Sequence, residues 1–184
     1  DILFGEVNPS GKLPTTFPKR IEDTPAFSCY PGENSQMDYE EKLLVGHRWY
    51  ERKNIKPLFP FGHGLSYTDF SYGDLEISVS GNADVVCRFN IDNIGDMDGQ
   101  EVAQCYVSYE SSPSDEPIKS LQSFKKVLIE KQKKQEIKIH LNARNFSYWD
   151  VKDKDWKIRP GSYSIEIGSS SEKIELRETI TLGN

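Results

Sequence analysis

Hydrophobic residues follow two regimes along the chain. From Phe70 onward they alternate with polar residues in short runs of period 2, the pattern of strands with one face buried and one face wet. Leu75, Ile77 and Val79 share one face of a first strand, and Ala83, Val85, Cys87, Phe89 and Ile91 one face of a second. Ala103, Cys105, Val107 and Tyr109 mark a third, Phe124 to Ile129 a fourth, and Ile137, Ile139 and Leu141 a fifth. The Pro160-Gly161 turn opens a sixth with Tyr163, Ile165 and Ile167, and Ile174, Leu176, Ile180 and Leu182 belong to a seventh. Seven short antiparallel strands in about 115 residues is the immunoglobulin or fibronectin type III count, so a β-sandwich is predicted.

Before that point periodicity is nearly absent. Seven of the ten prolines (Pro9, Pro14, Pro18, Pro25, Pro31, Pro57 and Pro60) lie in residues 1–69, a density that forbids long helices and central strands. The one stretch with a regular pattern is Met37 to Tyr50, where Leu43, Leu44, Val45 and Trp49 predict a short helix passing into a strand. Such a segment does not bury a core of its own, because about 40 residues is already the lower limit for unaided folding. Either it wraps the sandwich, or it is the tail of another domain; the apolar Ile2-Leu3-Phe4 run near the first residue favours the second. The expected division is 1–67 and 68–184.

Composition narrows the function classes. With 23 Lys and Arg against 29 Asp and Glu the net charge is -6, a sign that favours neither nucleic acid nor an anionic membrane surface. At 36% hydrophobic and 28% charged residues the chain is too apolar for disorder, and no run approaches the ~20 apolar residues of a membrane span. No targeting signal is visible at Asp1, so a processed or cut chain is expected. Cys29, Cys87 and Cys105 form no CxxC pair and are expected to be free, mostly buried thiols. A bridge between Cys87 and Cys105 is the alternative, if their strands are neighbours in one sheet.

Three ordered blocks are more specific. Asn8-Pro-Ser-Gly-Lys-Leu-Pro-Thr-Thr-Phe-Pro18, Val45-Gly-His-Arg-Trp-Tyr50 and Pro57-Leu-Phe-Pro-Phe-Gly-His-Gly-Leu-Ser-Tyr-Thr68 resemble the signature that closes the second domain of family 3 glycoside hydrolases, whose best-known members are β-glucosidases. Asn93-Ile-Gly-Asp-Met-Asp-Gly-Gln-Glu-Val102, Leu121-Gln-Ser-Phe-Lys-Lys-Val127, Pro160-Gly-Ser-Tyr163 and Gly168-Ser-Ser170 are similar to that family's C-terminal fibronectin type III-like domain. The resemblance implies a mostly β chain: a fibronectin type III-like sandwich preceded by the C-terminal remnant of an α/β sandwich domain. It also implies a retaining β-glucosidase as the full polypeptide, with an aspartate nucleophile and a glutamate acid/base upstream, so no catalytic residue is carried over to this chain. The implied partners are those upstream catalytic domains and the β-glucoside they bind, with a homo-oligomer left open and no cofactor. Xylosidases and N-acetylglucosaminidases share related architectures, so the sugar is not read from this chain. His47 departs from the tyrosine often found in the Val-Gly-Tyr-Arg block.

Other candidates weigh towards structure. His47, His63 and His140 sit on separate segments without a GxSxG motif, which argues against a triad. Asp96 and Asp98 before Gly99 suggest part of a calcium loop, but the register puts Ile94 and Cys105 at ligand positions, so a polar turn is expected. Glu40 and Glu41 are adjacent and point apart, a poor acid/base pair. Tyr148, Trp149 and Trp156 are a sugar-stacking platform or interface packing, the second favoured. Phe59, Phe61 and Tyr67 are expected to anchor the sandwich on the second domain. Lys131, Lys133 and Lys134 read as a solvated turn, and Ser111–Pro117 as a loop free to reach a subsite or neighbouring subunit. Asn145-Phe146-Ser147 fits the glycosylation pattern, whereas Pro9 blocks Asn8. A free-standing module that binds carbohydrate or protein is the alternative function, against which stand the 69 residues before the sandwich.

Overall fold

A computed structural model describes residues 1–34 and 36–183. Its strands are β1 (Phe70–Ser80), β2 (Asp84–Asn93), β3 (Gly99–Tyr109), β4 (Lys119–Ile129), β5 (Lys134–Leu141), β6 (Ser147–Asp150), β7 (Asp155–Ile158), β8 (Gly161–Gly168) and β9 (Ile174–Leu182). A three-stranded sheet in the order β1-β2-β5 packs on a four-stranded sheet in the order β4-β3-β8-β9, and every pairing is antiparallel. The facing positions anticipated from the alternation meet between them: Val85, Cys87, Phe89 and Ile91 from β2, Ala103 and Cys105 from β3, Ile137 and Ile139 from β5, Ile165 and Ile167 from β8. That interdigitated double layer is the core.

Three readings change, and the expectation of free thiols holds while its bridged alternative does not. A hairpin, β6–β7, is inserted between β5 and β8; its strands are only four residues long, too short for alternation to register. In β1 a bulge between Gly73 and Glu76 resets the register, so Tyr72, Leu75 and Ile77 all pack on the core; Val79, next to the end of the strand, is exposed. Cys87 and Cys105 are free and fully buried, but they lie on opposite sheets and not on neighbouring strands. Within Met37–Tyr50 the expected helix passing into a strand is replaced by turns that lead into a six-residue helix, α1 (His47–Arg52), at the end of the segment. Left-handed backbone at Lys42 and Gly46 breaks the Leu43-Leu44-Val45 run, and only Leu44 of the three is buried.

One corner is locked by a tyrosine. Tyr163 enters β8 with its hydroxyl donating to the Arg159 carbonyl (2.9 Å) and accepting from the Arg159 N–H (3.1 Å), while its ring packs edge-on against Phe146. This is the tyrosine corner of immunoglobulin-like sandwiches.

Residues 1–67 form an arm laid on the outer face of the four-stranded sheet. Leu13 and Gly62 exchange backbone bonds with His63 and Leu13, and Phe17 bonds Phe59, so two irregular segments run together as a strap. The strap joins the sheet through the Phe61 carbonyl, which accepts from Ser171 N–H (2.9 Å), and the Gly62 carbonyl, which accepts from the Gln104 carboxamide (3.2 Å). Gly62 has φ +79°, and a Cβ there would run into that carboxamide, so only glycine fits. Where the arm meets β1, Thr68 donates to buried Asn93 (2.6 Å), whose amide donates to Met97 and Ile129 carbonyls.

Candidate functional site

The seam between arm and sheet holds the densest polar chemistry of the chain. It arises because β3 and β8 present Gln104, Tyr106, Ser164 and Glu166 outward, where alternation predicts solvent, and the arm covers them all. Buried polar atoms need partners, and most find them. The Tyr106 hydroxyl donates to Gln104 (2.6 Å), whose amide donates to Gly62 and Ser169 carbonyls. At one end Lys12 of the arm pairs with nearly buried Glu101 (3.1 Å), which also accepts from the Tyr72 hydroxyl (3.0 Å).

At the other end α1 meets the sheet. His47 stacks on Phe61 (4.9 Å between centroids) and sits edge-on to Tyr106 (6.0 Å). Burial, then the charges of Arg48 and Lys119, pushes its imidazole down to about 4, so it is neutral at physiological pH. Lys119 lies 3.3 Å from Glu166 and 3.6 Å from Glu51, and Arg177 reaches Glu166 at 3.0 Å. A cavity of about 520 Å³ lies here, lined by Thr16, His47, Glu51, Lys119, Glu166 and Arg177 among others. Two cations and two acids around a mixed polar cavity make a contact surface between α1 and the sheet. Nothing in the arrangement poises a nucleophile against a base.

Arg52, on the same helix, clamps the loop after β3. Its guanidinium donates to the carbonyls of Pro113 (2.9 Å) and Glu116, and Arg159 holds the Glu116 carboxylate in a two-point contact at 2.6 and 2.7 Å. Ser111–Pro117 is thus folded back onto the chain.

The other sequence candidates are scattered. His63 stacks on Phe59 within the arm, and His140 is exposed on β5. Of the three aromatic anchors, Phe61 stacks on His47, which sits edge-on to Tyr106 of the sheet, while Phe59 packs on Phe17 and the Tyr67 hydroxyl donates to the Ile2 carbonyl, both within the arm. Trp149 and Trp156 face each other across β6–β7 with ring planes tilted by 56°, and Arg144 covers Trp156, so the rings serve as the hairpin's own packing and form no flat platform. Asp98 accepts from Lys131 N–H (2.8 Å), tying two turns together. Lys134 of the basic patch pairs with Asp74 (2.9 Å). Glu40 is exposed, while Glu41 has one buried carboxylate oxygen. Asn145 caps a turn of 3-10 helix: its carbonyl oxygen accepts from Asn142 N–H (2.8 Å), and its amide, the atom a glycan would be joined to, donates to Gln122 (3.2 Å). Among the described residues no three His, Cys, Asp or Glu side chains gather as a metal site.

Sequence reasoning passed over Glu51, Gln104, Lys119 and Glu166.

Comparisons with known proteins converge. Residues 1–67 match the glycosyl hydrolase family 3 C-terminal domain and residues 101–171 the fibronectin type III-like domain. Thermostable β-glucosidase B of Acetivibrio thermocellus is 41% identical over 100% of this chain and 25% of its own length. β-Glucosidase BoGH3A of Bacteroides ovatus is 37% identical over 98% and 25%, and an exo-α-(1→6)-L-arabinopyranosidase of Bifidobacterium breve 35% over 99% and 24%. Among solved structures, the GH3 β-glucosidase of Bifidobacterium adolescentis superimposes with a TM-score of 0.94 at 35% identity, covering 99% of this chain and 27% of that one. β-Glucosidase 3B of Thermotoga neapolitana, solved with α-D-glucose, gives 0.92 at 35%, over 100% and 26%. The chain thus spans about a quarter of the length of the relatives it matches. With both domains matched in order and relatives aligned along nearly all of it, the chain belongs to glycoside hydrolase family 3 and corresponds to the C-terminal portion of its members.

Proposed function

We propose that the full polypeptide is an exo-acting, retaining β-glucosidase that removes terminal non-reducing β-D-glucosyl residues, and that this chain is its structural brace. In this reading residues 1–67 complete the α/β second domain and residues 68–184 are the sandwich that buttresses it. The reacting carboxylates belong to upstream domains, so this chain by itself is inactive. The observation that supports the reading most is the arm: its inner side is pinned to the sheet by Gln104, Arg52 and Lys12, while Leu3, Phe4, Ile21, Tyr39, Val45 and Leu65 stay exposed on it. Apolar surface of that extent, on a segment too proline-broken to fold alone, is what a larger domain would cover. The similarity to several β-glucosidases supports the substrate class, and the arabinopyranosidase relative keeps the sugar a matter for assay. A free-standing binding module has no support: the relatives named above are about four times longer than this chain.

The test is hydrolysis of chromogenic β-D-glucoside, β-D-xyloside and α-L-arabinopyranoside by the full-length polypeptide and by a truncation ending at residue 67. The expected result is a preference for the glucoside by the full-length form and loss of soluble, active enzyme on truncation. No hydrolysis of the glucoside would remove the proposed activity; undiminished activity of the truncation would remove the brace.

A further inference from the structure

Glu51 stands apart from every other acid in the seam. It lies on α1, both its carboxylate oxygens are buried, and neither has a hydrogen-bond donor among the described residues. Around it are Lys119 from β4, Glu166 from β8, Arg177 from β9, Glu172 from the β8–β9 turn, Tyr106 from β3, and His47 on its own helix. The two cations are unevenly shared. Lys119 is nearer to Glu166, which also has Arg177 at 3.0 Å, while Glu51 has only the far side of Lys119 at 3.6 Å. A buried carboxylate without a donor is costly, whereas a neutral carboxylic acid beside the same groups is not.

We infer that Glu51 docks against the sandwich as the neutral acid, and that its ionisation loosens α1, and with it the arm, from the four-stranded sheet. The seam is a proton-sensitive joint built into the fold, independent of what the upstream domains do.

The direction follows from linkage. Burial, opposed only in part by Lys119, raises the Glu51 carboxyl from its ordinary value of 4.5 to about 7 in the docked state. When α1 lifts away, the group returns to water and to its ordinary value. Docking therefore takes up a proton: its strength is full below about 4.5, falls as pH rises, and is lost as pH passes through about 7. His47 rides on the same helix: held down to about 4 when docked and returning to 6.5 when lifted, it takes up a proton on lifting between those values and opposes the Glu51 effect below about pH 6.5. In a His47→Phe background, which removes that opposing titration and in which the variants below are made, the population of the lifted state should grow about twentyfold between pH 5.5 and pH 7.5 and level off above pH 8.

The experiment is hydrogen exchange with mass readout on the full-length polypeptide, following peptides that cover residues 47–55, with labelling times scaled so that chemical exchange is constant at each pH. Peptides covering residues 85–93, in the other sheet, are the internal control. The His47→Phe protein should show the rise at 47–55 and none at 85–93, and the wild type a shallower rise at 47–55, because His47 opposes it. Glu51→Gln, which is neutral at every pH, should abolish the rise and stay at the protected level. Glu166→Gln releases Lys119 to Glu51 and should shift the rise to lower pH. A flat His47→Phe profile, or a Glu51→Gln profile that still rises, overturns the inference. Should Glu51→Gln fail to fold, the direction of the Glu166→Gln shift decides: a shift to higher pH, or none, overturns it equally.

Discussion

The two sheets of the sandwich have the same inner face and opposite outer ones. On β5 the outward residues Glu136, Lys138 and His140 are exposed, and β2 alternates buried and open positions as a half-wet strand should. On β8 the outward residues Ser164 and Glu166 are only 7% and 6% exposed, and on β3 Tyr106 and Gln104 are 0% and 3%. The sequences of the two outer faces are both polar. What separates them is what lies above: water over one, a proline-rich arm over the other. A polar alternation reports that a face is not part of a hydrophobic core, and leaves open whether water or a polar surface of the same protein will cover it.

The sharpest way to test this contrast is to remove a large outward side chain from the covered sheet. Tyr106→Ala deletes a fully buried ring that packs against His47 and Lys119 and a hydroxyl that orients Gln104. Denaturant unfolding of the full-length polypeptide should show the domain carrying residue 106 destabilised by about 3–5 kcal/mol. Tyr106→Phe keeps the ring and should cost about 1 kcal/mol. A Tyr106→Ala cost no larger than that of an exposed substitution would mean that the arm adds no burial energy there.

That result bears on what the sequence made legible. The inner faces were readable residue by residue, because Val85, Cys87, Phe89 and Ile91 obey a period that has one structural meaning. The arm was recognisable as a family block but had no readable structure of its own: its conformation is set by contacts such as Gly62 with Gln104 and Arg52 with Glu116, which join residues 42 and 64 positions apart. The seam was invisible for the same reason. Glu51 and Lys119 carry no local pattern, and only the docking of α1 makes one lysine serve two acids. The β1 bulge and the β6–β7 hairpin escaped because each is shorter than the window in which periodicity accumulates.

A smaller effect is expected where the arm and the sheet touch through backbone. Gly62→Ala forces a Cβ into the Gln104 carboxamide at a positive φ, and should cost about 1–3 kcal/mol by combined strain and loss of that hydrogen bond. The same exchange experiment locates it: protection should fall at residues 58–64 and 101–107 and hold at 85–93. Uniform loss would show that the strap is not a separate layer. Tyr163→Phe probes the corner that leads into β8, since its hydroxyl bonds the Arg159 backbone there. It should cost about 1–2 kcal/mol without altering protection in the seam.

The smallest effect belongs to the open face, and it is the one that most constrains the comparison. Lys138 lies opposite Arg88 on β2, and Arg88 lies opposite Glu76 on β1, so three exposed charges cross the sheet in a row. Glu76 and Arg88 attract; Arg88 and Lys138 repel at similar range. Exposed pairs of this kind are worth a few tenths of a kcal/mol at most and are screened by salt. Lys138→Ala should therefore change stability by less than about 0.5 kcal/mol, on the stabilising side at low ionic strength. Measured in the full-length polypeptide, a loss beyond 1 kcal/mol would mean that this face too is covered once the rest of the protein is present, and that the two sheets differ only in which part of the enzyme lies on them.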